Sequence, residues 1–167
     1  MLADTALRMD RMYRLQRHIY DPTRKFYLLG RDRLIERLAL KAGDHVVEIG
    51  CDTGRNLVAL ARRHPGAILY GLDASAAMLE TARHKLMSAG LAGRVRLSAG
   101  VGEELDPRVN FGLDRKFDAI VISYALSMIP PWQSVVKRAV DHLRPVARSR
   151  SSISATSPAF PDGSGRH

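Results

Sequence analysis

Val46-Val47-Glu48-Ile49-Gly50-Cys51-Asp52-Thr53-Gly54-Arg55-Asn56 is the stretch whose reading decides the fold. A β-branched run from His45 to Ile49 carries a carboxylate near its end and breaks at Gly50, and a helical pattern, Asn56 to His64, follows the turn. Gly50 and Gly54 let the backbone turn sharply and approach a bound molecule with no Cβ in the way. A second strand, Ala67 to Leu72, leads to Asp73, about twenty residues beyond Gly54, where a carboxylate can accept hydrogen bonds from both hydroxyls of a ribose. A lone glycine turn is a weak signal. Strand, turn, helix, strand and acid in that order point to a nucleoside.

Working outward, Ser75 to Ala89 reads as helix, Arg94 to Ser98 and Phe117 to Ser123 as strands, and Gln133 to Leu143 as helix. Strands alternating with helices predict an α/β protein with a Rossmann-like, partial doubly wound parallel sheet in the order 3-2-1-4. Its strands are nearly all apolar, as helices on both faces require. Upstream, Thr5 to Tyr20 has the period of a basic amphipathic helix, Asp21-Pro22 is an N-cap followed by proline at the first helical position, and Arg31 to Leu40 is helical. Beyond Pro145, residues 146–167 are rich in Ser, Arg, Pro and Gly with no period, which predicts a disordered tail and no later strands. The chain thus divides into an N-terminal helical basic and aromatic cap (1–42), a core (43–145) and the tail. A truncated or frameshifted gene would give this pattern and leave the fourth strand as an exposed apolar edge.

Composition narrows the classes. The 167 residues are 46% apolar, enough for one domain with a core, and contain no apolar run of membrane-spanning length and no signal-peptide pattern, so a cytoplasmic protein is expected. Cys51, the single cysteine, excludes an internal disulfide, and six scattered histidines give no zinc spacing, so no metal is expected. A formal charge of +9 favours a polyanionic partner, either nucleic acid or an anionic membrane surface.

The turn also discriminates between nucleosides. Asp52 stands where a dinucleotide-binding turn has its second glycine, and its carboxylate would repel a pyrophosphate. S-adenosyl-L-methionine (SAM) has no phosphate and carries a cationic sulfonium and ammonium. At this point the stretch resembles motif I of class I SAM-dependent methyltransferases, with Gly50 and Gly54 as the first and third glycines, Asp52 replacing the middle one, and Asp73 as the ribose-binding acid. The resemblance implies a cofactor site built from Glu48, Gly50, Cys51, Asp52, Gly54, Asp73, Ala74, Met78, Gly100, Val101 and Ser123. Ala74 and Met78 would flank the adenine, although Met78 equally suits core packing. Val101 stands where the family often has an acid for the adenine amino group, and it cannot accept that bond. Ser123 and Tyr124 follow the fourth strand and would lie where methyl donor and acceptor meet.

The segment from Arg11 to Arg33, with Ser127-Met128-Ile129-Pro130-Pro131-Trp132, is similar to the N-methyltransferases of bacterial betaine-lipid synthesis, over roughly residues 7 to 145. That likeness implies methylation of the amine of a diacylglyceryl-homoserine-type lipid or another small amine. Tyr13, Tyr20 and Tyr124 are the catalytic candidates. Read by its residues alone, the segment holds eight Lys/Arg against three acids between Arg8 and Arg33, interleaved with Tyr13, Tyr20, Phe26 and Tyr27. Such a helix suits the cytoplasmic face of an anionic membrane, or RNA, or is a solvated face on a lid helix. Its tyrosines also suit an ammonium cage. His18 is a conceivable proton acceptor, as histidine in general is, though a lone histidine on a helix is often structural. Three readings follow: a SAM-dependent lipid amine methyltransferase, a non-catalytic remnant with weak or no SAM binding, and a basic RNA-binding module.

Overall fold

In a computed structural model, residues 33–123, 132–145 and 153–156 are described. The strands are β1 (His45–Ile49), β2 (Ile68–Asp73), β3 (Val95–Ala99), β4 (Ala119–Ser123) and β5 (Ile153–Thr156). Between them lie α1 (Arg55–Arg63), α2 (Ala76–Ser88), a 3-10 turn (Gly102–Glu104), α3 (Pro107–Phe111) and α4 (Trp132–His142). All pairings are parallel and the sheet order is β3-β2-β1-β4-β5. The expected order 3-2-1-4 is therefore present. Of the expected N-terminal helices, residues 33–37 are helical. The patterns before them lie outside the described residues.

Strand alternation sorts the core into two layers. Val46, Leu69 and Val121 face one cluster with Leu57 and Leu60 of α1 and Leu79 and Leu86 of α2. Val47, Ile49, Tyr70, Ile120 and Ile122 face the other, with Phe111 of α3 and Val135 and Ala139 of α4. Because both faces are covered, the strands read as continuous apolar runs. At the amino end of the sheet, Tyr70 packs against Phe111 and Phe117 at centroid distances of 5.0 and 5.6 Å.

Two features differ from expectation. The first is β5, since residues 146–167 were expected to contribute no strand, yet Ile153 pairs with Ile120 and Thr156 with Ser123. The later strands are thus not all missing, and the exposed edge expected at β4 is paired. Four residues are too few to show a period, and it is the unpaired N–H and C=O row of β4 that selects a partner. The second is α3, which no sequence pattern had marked. Asp106 caps it by accepting hydrogen bonds from the Arg108 and Val109 amides at 2.9 and 3.1 Å, Pro107 opens it, and Gly112 closes it at φ 67°.

The Asp106 cap gives a test of local stability. Asp106→Ala should lower unfolding free energy by about 1 kcal/mol, and Asp106→Asn should retain most of it, as read by urea denaturation.

Candidate functional site

The carboxyl ends of the strands come level through the sheet register. Ile49 is opposite Leu72 and Ile122, and Asp73 is opposite Ala99. The order reverses between β1 and β4, which puts the usual ligand position of such sheets beside the β1 turn. Gly50, at φ 70°, donates its amide to the Leu72 carbonyl at 2.8 Å, and Cys51 donates to the same oxygen at 3.1 Å. Gly54, at φ 71°, is the N-cap of α1, and a Cβ added there would meet the Ala82 Cβ at 3.0 Å.

Asp73 organises the site. It is 6% exposed, and its two carboxylate oxygens accept the Asp52 amide at 2.7 Å and the Ser75 amide at 2.9 Å. Burial pushes its pKa up, against the downward pull of these two bonds. A carboxylate has about four lone-pair positions, so two amides leave acceptor capacity for hydroxyls. This donor and acceptor set fits the ribose of a nucleoside.

Asp52 itself has φ 47°, the only positive φ of a non-glycine residue among the described ones. That is the conformation in which a middle glycine is at ease and which Asp tolerates better than most residues. The residue replacing the motif's glycine therefore keeps the glycine's backbone geometry, and its side chain is exposed.

The remaining site residues fall into two groups. Glu48 is 1% exposed and accepts a 2.6 Å bond from Asn56 Nδ2. Cys51 is 3% exposed, and burial, followed by Glu48, Asp73 and Asp52, drives its thiol pKa far up, which removes it as a nucleophile. Ala74 and Met78 are half-buried at the start of α2. Gly100 donates to the Asp73 carbonyl at 3.0 Å, and Val101 is half-buried just beyond it. Ser123 ends β4. Tyr13, Tyr20, Tyr124 and His18 lie outside the described residues, as does the motif from Ser127 to Pro131.

Three interactions had no counterpart in the sequence-based expectations. Ser75 is both the N-cap of α2, accepting from the Met78 amide at 3.4 Å, and a donor to Asp73. Its position at the head of a helical pattern was a usable signal. Asn56 stood inside the quoted motif, but its bond to Glu48 depends on how α1 leaves the turn. Lys85 Nζ donates to Thr53 Oγ1 at 2.9 Å from the far end of α2, and no local pattern announces it.

A parallel sheet with a glycine turn and a buried acid at its carboxyl edge defines a Rossmann-like nucleoside-binding protein. A family model described as a methyltransferase domain matches residues 47–148, and the chain belongs to this SAM-dependent methyltransferase family. It is 29% identical over 132 residues to demethylmenaquinone methyltransferase of Lactobacillus johnsonii, covering 75% of this chain and 52% of that protein. It is 48% identical over 56 residues to trans-aconitate 2-methyltransferase of Paracidovorax citrulli, covering 34% of this chain and 22% of that one. The chain therefore spans about half or less of the length of these relatives. A SAM-dependent methyltransferase from Thiobacillus denitrificans, solved in complex with S-adenosyl-L-homocysteine, superposes with a TM-score of 0.57 at 25% identity, over 69% of this chain and 44% of that one.

Two outcomes test the turn. Asp52→Gly should raise the melting temperature in a thermal scan, because relief of the left-handed backbone, worth about 1 kcal/mol, outweighs the added chain entropy, while the amide bond to Asp73 survives. The second concerns pH. Asp73 must be ionised to accept fully, and its raised pKa means that it protonates earlier than an ordinary aspartate as pH falls. Calorimetric affinity for S-adenosyl-L-homocysteine should therefore decline on acidification while still above about pH 4, the usual aspartate range. Asp73→Asn should weaken binding by roughly 1.5 to 3 kcal/mol at neutral pH and flatten that decline.

Proposed function

We propose that the chain binds SAM at the β1 turn and serves methyl transfer to an amine, with a diacylglyceryl-homoserine-type lipid as acceptor. The observation that carries the cofactor part is the buried Asp73 carboxylate between the Asp52 and Ser75 amides. Bound SAM would supply an electrophilic methyl on a sulfonium. Asp73 would accept from the ribose hydroxyls, the Gly50 to Gly54 turn would let the backbone approach, and Ala74 and Met78 would flank the adenine. Glu48, fixed by Asn56, adds negative charge beside a cationic cofactor. Positioning is the main contribution asked of the protein, since well-oriented reactants reach effective molarities of roughly 10⁵ to 10⁸ M. The amine must arrive unprotonated, and its nucleophile is a lone pair, so no obligatory base is required.

The acceptor rests on sequence. The named relatives act on trans-aconitate and demethylmenaquinone, so the shared half of the fold is compatible with different acceptors. What supports a lipid amine here is the basic, aromatic segment before Arg33, suited to an anionic membrane surface and to an ammonium. Peripheral contact with that surface, at the cytoplasmic face, is part of the same proposal. No helix among the described residues is long and apolar enough to cross a membrane.

A radiolabelled methyl-transfer assay separates the parts. With SAM and vesicles containing diacylglyceryl-homoserine, label should enter the lipid, Asp73→Ala should abolish transfer at subsaturating SAM, and vesicle binding should weaken with salt. SAM binding without transfer to this lipid would remove the acceptor and keep the cofactor. Absence of SAM binding would remove both.

A further inference from the structure

Charge in the described body is unevenly distributed along the strand direction, although Arg55 and Lys85 lie at the β1 turn. The carboxyl end carries Glu48, Asp52, Asp73, Glu103 and Glu104. The opposite, amino end gathers Arg62 and Arg63 from the end of α1, Arg94 and Arg96 from the start of β3, and Arg115 and Lys116 from the approach to β4. Lys41 and Arg144 flank the same end, because the loop at Gly43 bonds to Gly66 at 2.8 Å and Arg144 donates its amide to the Phe117 carbonyl at 2.8 Å.

The acids at this end include Asp44, Asp114, Asp118 and Asp141, and all four are engaged: Asp44 accepts the Lys41 amide at 2.8 Å and Lys137 holds Asp141 at 2.9 Å. Arg115 and Arg144 both hold Asp118, at 3.0 and 2.9 Å, and Arg108 of α3 holds Asp114 at 3.1 Å. Arg94 points its guanidinium at the His64 and Ala67 carbonyls. Arg62, Arg63, Arg96 and Lys41 are exposed, and no acid among the described residues lies within ion-pair distance of their side chains. Complementing a helix carboxyl terminus accounts for Arg62 and Arg63. It does not account for Arg96, which leaves an edge strand.

We infer that the amino end of the sheet is a binding surface for the phosphate backbone of nucleic acid. This goes beyond the methyl-transfer reading and does not depend on its acceptor. Arginine predominates, and a guanidinium fork matches phosphate oxygens in pairs. Among the described residues, the Tyr70 and Phe117 rings at this end are 1% and 0% exposed and present no face to a base, which favours recognition of the backbone without sequence preference. An anionic membrane fits less well. The β1 turn lies a strand's length away, about 17 Å for five residues, so a membrane on this end would hold a lipid head group far from that turn.

The test is fluorescence anisotropy of a labelled DNA duplex with the full chain over a salt series. The triple variant Arg62→Gln, Arg63→Gln, Arg96→Gln should bind at least about tenfold more weakly and show a shallower salt dependence, by about 0.9 in log–log slope for each phosphate that is no longer neutralised. A control with the same total charge change elsewhere, Arg83→Glu with Lys137→Gln, should bind as the parent does. Equal losses in both variants would reduce the effect to net charge, an unchanged triple variant would move binding to another surface, and full competition by anionic vesicles would make the partner a membrane. Each of these overturns the inference. S-adenosyl-L-homocysteine affinity should be the same in all three proteins, so failure here is distinguishable from failure of the cofactor site.

Discussion

The carboxylate of Asp73 ties three pieces of chain together at one point. Through one oxygen it holds the amide of Asp52 in the β1 turn, and through the other the amide of Ser75 at the head of α2, while its own backbone ends β2. A buried carboxylate is costly unless hydrogen-bonded, and these amides offset that cost. Burial still raises its pKa. With the folded value above the unfolded one, Asp73 favours folding most at low pH, and that contribution is lost as pH rises through its folded pKa. The ribose binding proposed for Asp73 would need the ionised form, and that requirement runs against the preference of the fold, a common condition where a charged group is held for function.

The turn around it is braced from several sides. Leu72 supplies one carbonyl to two successive amides, Asn56 holds Glu48, Lys85 reaches Thr53, and Ala82 leaves room for Gly54 and nothing larger. These bonds make the left-handed Asp52 tolerable, because the surroundings specify its backbone more strongly than its own preference does. The parallel arrangement also gives the molecule its polarity. Every strand points its carboxyl end to the β1 turn side, and Arg62, Arg63, Arg94, Arg96, Arg115 and Arg144 lie at the other pole.

Much of the core was legible because its signals are local. Short apolar runs and 3.6-residue periods marked β1 to β4 and α1, α2 and α4 to within a residue or two, and the apolar character of both strand faces implied helices on each side. Asp106-Pro107 has the same cap chemistry as Asp21-Pro22, and α3 escaped notice only because five residues show no period. At β5 the difference was of another kind. Ile-Ser-Ala-Thr has no pattern of its own, and its pairing answers a demand made by the edge of β4.

Sequence by itself determined the elements and their parallel order and singled out Asp73 as the candidate nucleoside acid, since periodicity, cap residues and the spacing from Gly54 to Asp73 are properties of neighbouring positions. Only the tertiary structure decided what that acid holds, that Asp52 keeps a glycine's backbone, that Lys85 reaches Thr53 across 32 positions, and that Arg62, Arg63, Arg96 and Lys41 come to one pole. Those facts depend on groups distant in the chain meeting at a distance of about 3 Å, the length of a hydrogen bond, and such meetings leave no local trace for a sequence to show.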